Sequence, residues 1–370
     1  MLNLNGLPFD YAEWKQILSE MEVELGALEN EIQAFLNQAE LNLASPQQVL
    51  QSFASKGIQV PSTKEEDLAK YEMEYPIIQK LCKYKKIKKR LTTYGETLQR
   101  RIGCDDKIRG EWRLIGTGTS RMSCKSPNLQ GLPTQAKPYV KAPSGECFVI
   151  ADYSTIELRI LAEITHDQEL ITAFQKKQDL HEKTARAIFD KSEDAEITAD
   201  ERKIGKVVNF GLIYGMTAYG LQKKITFATG KEISYQQAQV FRNRYFGLYP
   251  GVLRYQDQML KAERIFTLGG RYWSSETTAL KSVAISRFNY PIQGTGAEGL
   301  KESLAILMQH LPPNWKLVAV VHDEIVLQVP ENESTNAKQC LRIAMQKGMQ
   351  QLIHTIPIEI DVKISTHWAK

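Results

Sequence analysis

Cys147-Phe148-Val149-Ile150-Ala151 is an apolar run with Asp152 at its carboxyl end. Far downstream, Leu317 to Val329 reads as two strands around the polar turn Val321-His322-Asp323-Glu324-Ile325. Asp152 and Asp323 are far apart in the chain, and both end strands that are read as parts of one sheet. The section between them, from about 168 to 265, has mainly helical periodicity interrupted by glycines. The chain therefore reads as α+β: helical, then α+β, then helical, then α+β again. The second helical section is an insertion between two halves of one sheet domain.

The flanking segments fit this order. Residues 13 to 38 form an amphipathic helix with Ile17, Met21, Leu25, Leu28 and Ile32 on one stripe. A second long helix follows Tyr75-Pro76 and runs to about Arg101, with Ile77, Leu81, Tyr84, Ile87, Leu91, Tyr94 and Leu98 inward and its lysines outward. From Trp112 to Gly145, glycines and prolines mark a loop-rich stretch. A helix over 337–354 and a strand over 358–364 close the chain. No repeat and no low-complexity segment interrupts it.

Composition excludes several classes. With 42% hydrophobic and 24% charged residues, the chain is neither disordered nor collagen-like. No apolar run reaches the roughly 18 residues of a membrane span, and the amino terminus lacks the pattern of a signal peptide. Cysteines 82, 104, 124, 147 and 340 are odd in number and widely spaced, which fits neither a disulfide framework nor a zinc site and suits a reducing interior. Net charge is only +4, but Lys80 to Lys125 holds 14 Lys/Arg against 4 Asp/Glu. That concentration suits a polyanion, although a solvated helix face gives the same pattern.

Four islands carry candidate chemistry. Asp152-Tyr153-Ser154-Thr155-Ile156-Glu157 places a carboxylate at a strand end, where a rigid scaffold presents catalytic groups and divalent-metal ligands. Ser154-x-x-Glu157 also reads as a capping box. His322-Asp323-Glu324 puts adjacent acids on an apolar hairpin, where they repel unless a cation neutralises them; a plain solvated turn is the alternative. Asp152 and Asp323 together suit a pair of Mg²⁺ ions about 3.5–4 Å apart, the arrangement for in-line phosphoryl transfer. Arg202, Lys206, Phe210 and Tyr214 recur every four residues, so on a helix they share a broad face. Two cations followed by two aromatics suit a triphosphate, then a sugar and base; basic side chains snorkelling around an ordinary amphipathic helix are the bland alternative. Gly116 to Gln130 is rich in polar residues that suit nucleic-acid contacts, but it is no Walker loop.

These residues resemble the polymerase region of family A DNA polymerases, the bacterial DNA polymerase I type. Asp152 to Arg159 is similar to motif A, Arg202 to Gly215 to motif B, and His322-Asp323-Glu324 to motif C. Thr119-Ser120-Arg121 through Asn128-Leu129-Gln130, Asp179-Leu180-His181 and Asn289 to Thr295 match three further blocks in order. The resemblance implies an α+β right-hand architecture with an antiparallel palm sheet and helical fingers. Residues 1–39 would be a helical lead-in, 40–110 the thumb, 111–200 and 285–370 the palm, and 201–284 the fingers.

It also implies roles. Asp152, Asp323 and the backbone of Tyr153 would hold two Mg²⁺ ions, with Glu324 supporting them. Arg202, Lys206 and His181 would hold the dNTP triphosphate, and Lys206 would protonate the leaving pyrophosphate. Phe210 would pack on the sugar, Tyr214 would lie near the templating base, and Glu157 would exclude a 2′-hydroxyl. Arg121, Gln293 and His322 would meet the primer end, with Asn289 also on DNA. Asn128 and Gln130 would meet duplex and template, and Lys85, Lys88 and Lys89 the duplex backbone. Thr155, Cys124 and Ile285 depart from the usual Gln, Ser and Arg of the family.

The implied activity is template-directed addition of dNTPs to a primer on DNA, by a monomer in the cytoplasm of a bacterium or phage-infected cell, with no membrane partner. About 39 residues precede the thumb, against the well over 100 of an exonuclease domain, so no intrinsic proofreading is expected. A separate exonuclease or processivity partner would supply what is missing. The alternatives are a single-subunit RNA polymerase relative, which Glu157 argues against, and a non-catalytic nucleic-acid-binding module.

Overall fold

The computed structural model describes the chain except residues 69, 70, 73, 275–283 and 369–370, and except the side chains of 66, 284 and 285. Ile285 is therefore outside the described side chains. The chain divides into two compact units: Leu7–Arg109 with Leu132–Lys141, and Met1–Gly6 with Gly110–Gly131 and Ala142–Lys370.

The smaller unit is built on three helices, α1 (Tyr11–Leu36), α2 (Pro46–Ser55) and α3 (Pro76–Tyr94). Asp10 caps α1 by accepting from the Glu13 N–H at 3.1 Å, and Asn37 ends it in the left-handed conformation. Leu25, Leu28, Ile32 and Leu36 share one core with Ile77, Ile78, Leu81, Tyr84 and Ile87. The expected lead-in supplies Leu25, Leu28, Ile32 and Leu36 to this core, because its apolar stripe finds its partner on α3. Residues 1–6 leave it altogether. In the larger unit, Asn5 donates to the Leu317 carbonyl at 2.9 Å. In the first turns of α1, Trp14 and Leu18 are buried while Ile17 is only half-buried. The second long helix stops at Tyr94, short of Arg101, because Gly95 follows and its backbone leaves the helical region.

The larger unit contains a four-stranded antiparallel sheet. Its strands are β1 (Glu146–Tyr153), β2 (Lys316–Val321), β3 (Glu324–Pro330) and β4 (Ile360–Ser365), in the order β4-β1-β3-β2. The two apolar runs therefore do share a sheet. Between them run α4 (Ile156–Thr165), α5 (Leu180–Phe189), α6 (Ala199–Ile213), further helices to Lys261, and α7 (Ala284–His310). The helix α8 (Ser334–Gln350) packs beside α7. One sheet face is tied to both: the Tyr153 hydroxyl lies 2.7 Å from both Ser303 Oγ and the Met345 carbonyl. A side chain at Gly348 would collide with Ser303, so glycine lets α7 and α8 approach. All five cysteines are free, and no helix among the described residues is long and apolar enough to cross a membrane.

Candidate active site

The sheet register brings the acids together. Asp152 is the antiparallel partner of Glu324 on one side and of Asp361 on the other. Asp323 is the second residue of the two-residue β2–β3 turn, and its carbonyl accepts from the Tyr153 N–H at 3.4 Å. His322, the first turn residue, has φ +58°. A positive φ at the first position alone is the type II′ signature, which matches the twist of the flanking strands. Burial pushes the Asp323 carboxyl well above the usual carboxylate range, and the neighbouring Asp152 carboxylate adds to the rise. Two hard oxygen donors that repel each other at the end of a rigid sheet fit a divalent cation such as Mg²⁺. Among the described residues, no group of three or more His, Cys, Asp and Glu side chains is arranged to hold a metal. Glu324 is buried and accepts from the Trp368 indole N–H at 2.9 Å, so it faces a tryptophan 44 residues away.

Glu157 sits in the first turn of α4. The expected capping box with Ser154 does not form. The cap residue is Thr155, in a left-handed conformation with no side-chain cap bond. Ser154 Oγ instead donates to Asp361 at 2.6 Å. Glu157 accepts from Arg121 at 2.7 Å and from the Tyr214 hydroxyl. Burial, then the Glu157 carboxylate, hold the Tyr214 phenol well above its usual range. Gln293 lies near the same hydroxyl and acts against that rise. Arg121, Glu157, Tyr214 and Gln293 thus meet at one place, and Arg121 and Glu157 both influence Asp323.

The second cluster lies on α5 and α6. A true capping box, Thr198 with Glu201, starts α6. Arg202 and Lys206 follow on its exposed face, Phe210 is half-buried, and Tyr214 is the residue that ends the helix. Asp179 caps α5, accepting from the His181 N–H at 2.8 Å, and also accepts from Arg202 at 2.9 and 2.6 Å. Burial opposes the charged form of Asp179, but Arg202 and the cap N–H groups outweigh it and lower its pKa. His181 is buried, with its ring centroid 5.8 Å from that of Phe210. Burial, aided by Arg202 and Lys206, pulls its imidazole down to about 4 against the opposing effect of Asp179. A Cβ at Gly205 would strike the His181 carbonyl, so glycine allows α6 to lie close against α5.

The remaining expected contacts are mixed. Asn128 is exposed and its side chain closes a local turn with the Gln130 N–H at 3.2 Å. Gln130 donates to the Val320 carbonyl at 3.0 Å, bracing β2. Asn289 carries a buried Oδ1 with no hydrogen-bond partner among the described residues. His322 is exposed. In the smaller unit, Lys88 and Lys89 are exposed, but Lys85 is half-buried and donates to the Thr63 carbonyl at 2.6 Å. Lys85 is therefore removed from the outward basic face. Lys80, Lys83 and Lys86 pair with Glu31, Glu24 and Glu65, so much of the basic run is neutralised within the unit. No local pattern singles out Asn209, which meets His181, or Trp368, which meets Glu324. Asn209 lies inside the motif B block; nothing near Trp368 in sequence points to Glu324.

The chain belongs to DNA polymerase family A, whose sequence profile matches residues 12–370. Among curated proteins it is similar to DNA polymerase I of Aquifex aeolicus, 33% identical over all of this chain and 65% of that protein. It is similar also to DNA polymerase I of Helicobacter pylori strain J99, 28% identical over 99% of this chain and 42% of that protein. The chain thus spans about two fifths to two thirds of the length of these relatives. Among solved structures it resembles the POL domain of Pol1 from M. smegmatis in complex with DNA primer-template and dNTP. The TM-score is 0.88 and the identity 25%, over 99% of this chain and 68% of that one.

Proposed function

We propose that this chain is a template-directed DNA polymerase that adds dNTPs to a primer 3′ end by two-metal-ion nucleotidyl transfer. The observation that carries the proposal is the crowding of Asp152 and Asp323 at the end of one sheet, where burial and the neighbouring carboxylate push the Asp323 carboxyl up. Family membership and the likeness to a polymerase domain bound to primer-template and dNTP support the same reading.

Asp152, Asp323 and the Tyr153 backbone would hold Mg²⁺, which characteristically takes one or two carboxylates plus substrate phosphates. When bound, Mg²⁺ supplies charge stabilisation to the attacking and leaving oxygens. Arg202 and Lys206 would bind the triphosphate, and Lys206 would deliver a proton to the departing pyrophosphate. Neutral His181 would donate a hydrogen bond to the same phosphates. Phe210 would orient the sugar, and Glu157 would oppose a 2′-hydroxyl through steric exclusion. Arg121, Gln293, Asn289 and His322 would orient the primer end. The smaller unit would be the thumb, with Lys88 and Lys89 facing duplex phosphates. The sheet would be the palm and the helices from α6 to Lys261 the fingers. A cytoplasmic setting follows from this substrate. Proofreading is assigned to no residue of this chain.

Primer extension with Mg²⁺ tests the reading, with separate lanes for dNTPs, rNTPs and no nucleotide. Templated dNTP addition without shortening in the empty lane is expected. Preference for rNTPs would favour an RNA polymerase, and bound but unextended DNA would favour a binding module.

A further inference from the structure

Asn209 is buried on α6, and each of its amide atoms is committed. Its Oδ1 accepts from the Thr184 hydroxyl at 2.8 Å. Its Nδ2 faces the Leu180 carbonyl at 3.2 Å and His181 Nδ1 at 3.0 Å. Thr184 in turn lies 3.1 Å from the Tyr249 hydroxyl. Turning the amide over would set its oxygen against the Leu180 carbonyl and its nitrogen against Thr184. Thr184 can accept as well as donate, since it shares a hydrogen bond with Tyr249, but the Leu180 carbonyl only accepts; Leu180 therefore fixes which end of Asn209 meets the histidine, and Thr184 holds the other end. That end is a donor, so Nδ1 must accept, and in a neutral ring the proton then sits on Nε2.

We propose that Asn209, its amide oriented by the Leu180 carbonyl, is a positioning residue that locks His181 in the Nε2–H tautomer so that its far ring nitrogen presents a donor to the nucleotide triphosphate. This rests on the reading of His181, Arg202 and Lys206 as triphosphate ligands. The other tautomer would turn a lone pair toward phosphate oxygens, replacing attraction by repulsion. Burial and the nearby cations keep the ring neutral at working pH, so the tautomer and not a positive charge decides what it offers. The arrangement parallels the way an outer hydrogen bond selects the working nitrogen of a histidine in other sites.

The test begins with the unmodified chain. Long-range ¹H–¹⁵N spectra of ¹⁵N-histidine-labelled protein at neutral pH, with His181→Gln to assign the signal, report which nitrogen carries the proton. A protonated Nε2 with a bare Nδ1 is expected; an Nδ1–H ring or an even mixture would overturn the proposal. The near-isosteric Asn209→Leu removes the donor that faces His181 Nδ1. It should mix the tautomers and raise the KM for dNTP roughly tenfold, with little change in kcat. In a His181→Gln background, Asn209→Leu should add nothing. An equal KM increase there would mean that Asn209 acts through general packing, against the proposal. If His181→Gln alone leaves KM unchanged, the triphosphate reading of His181 fails and the proposed role with it; the spectrum still decides the tautomer separately.

Discussion

Glu157, in the first turn of α4, accepts a hydrogen bond from the Tyr214 hydroxyl at the end of α6, 57 residues later. The same carboxylate pairs with Arg121 at 2.7 Å. A residue whose spacing from Ser154 suggests a local cap is instead the junction of three separate segments. If Glu157 also opposes a 2′-hydroxyl, Glu157→Ala should weaken discrimination against rNTPs by roughly tenfold or more. Competing dNTP and rNTP incorporation measures this. Unchanged discrimination would leave Glu157 only its bracing role.

Asp152→Ala and Asp323→Asn should each lower the extension rate on the order of a thousandfold while DNA binding persists. Asp323→Asn also removes one of two crowded, partly buried charges. Its melting temperature without added metal should stay level or rise, as happens where a site stores repulsion for function. Turnover near the wild-type rate in either variant would refute the paired assignment.

Thr155 holds a left-handed backbone, φ +51° and ψ +40°, that a β-branched side chain resists. Its side chain caps nothing, so Thr155→Gly should stabilise the fold by about 1 kcal/mol. Thermal unfolding should shift upward by about 2 °C. A fall in melting temperature would show that the threonine makes a compensating contact.

The buried His181 gives stability a defined pH dependence. Its folded pKa of about 4 lies below its unfolded value of about 6.5, so the unfolded chain binds more protons between the two. This contribution is intact above 6.5 and is lost as pH falls toward 4, on the order of 2 kcal/mol after solvent screening is discounted. Denaturant unfolding of wild type and His181→Gln across that range should show a shallower acid loss in the variant. Parallel curves would rule the histidine out as a source.

Lys88 and Lys89 should each contribute about 0.9 to the slope of log affinity for duplex DNA against log salt. Lys83 and Lys86, already paired with Glu24 and Glu65, should contribute less. Alanine variants measured by salt titration separate the two groups. Equal slopes would mean that the glutamates release their partners on binding.

Much of this molecule was legible in its residues. The apolar runs ending in Asp152 and around Asp323 read as strands of one sheet and share one, and the four-residue recurrence from Arg202 to Tyr214 fits the helix that carries it. Local rules failed where partners lie far apart in the chain. The spacing of Ser154 and Glu157 matches a capping box, but Asp361 and Tyr214, brought in by the fold, hold those side chains instead. Lys85 reads as outward by periodicity, yet it turns to the Thr63 carbonyl. The charge of the basic run is visible in sequence, whereas its neutralisation by Glu24, Glu31 and Glu65 depends on helix packing.

The order of residues sets which backbone periods each segment can adopt, because propensity and apolar spacing act within a few residues. Which groups meet is a property of the folded chain. The register that sets Asp152 beside Glu324, the burial that lifts the Asp323 carboxyl, and the amide of Asn209 against the His181 ring are long-range. Hydrogen bonds and electrostatic fields act through space, and folding alone brings these side chains within their reach.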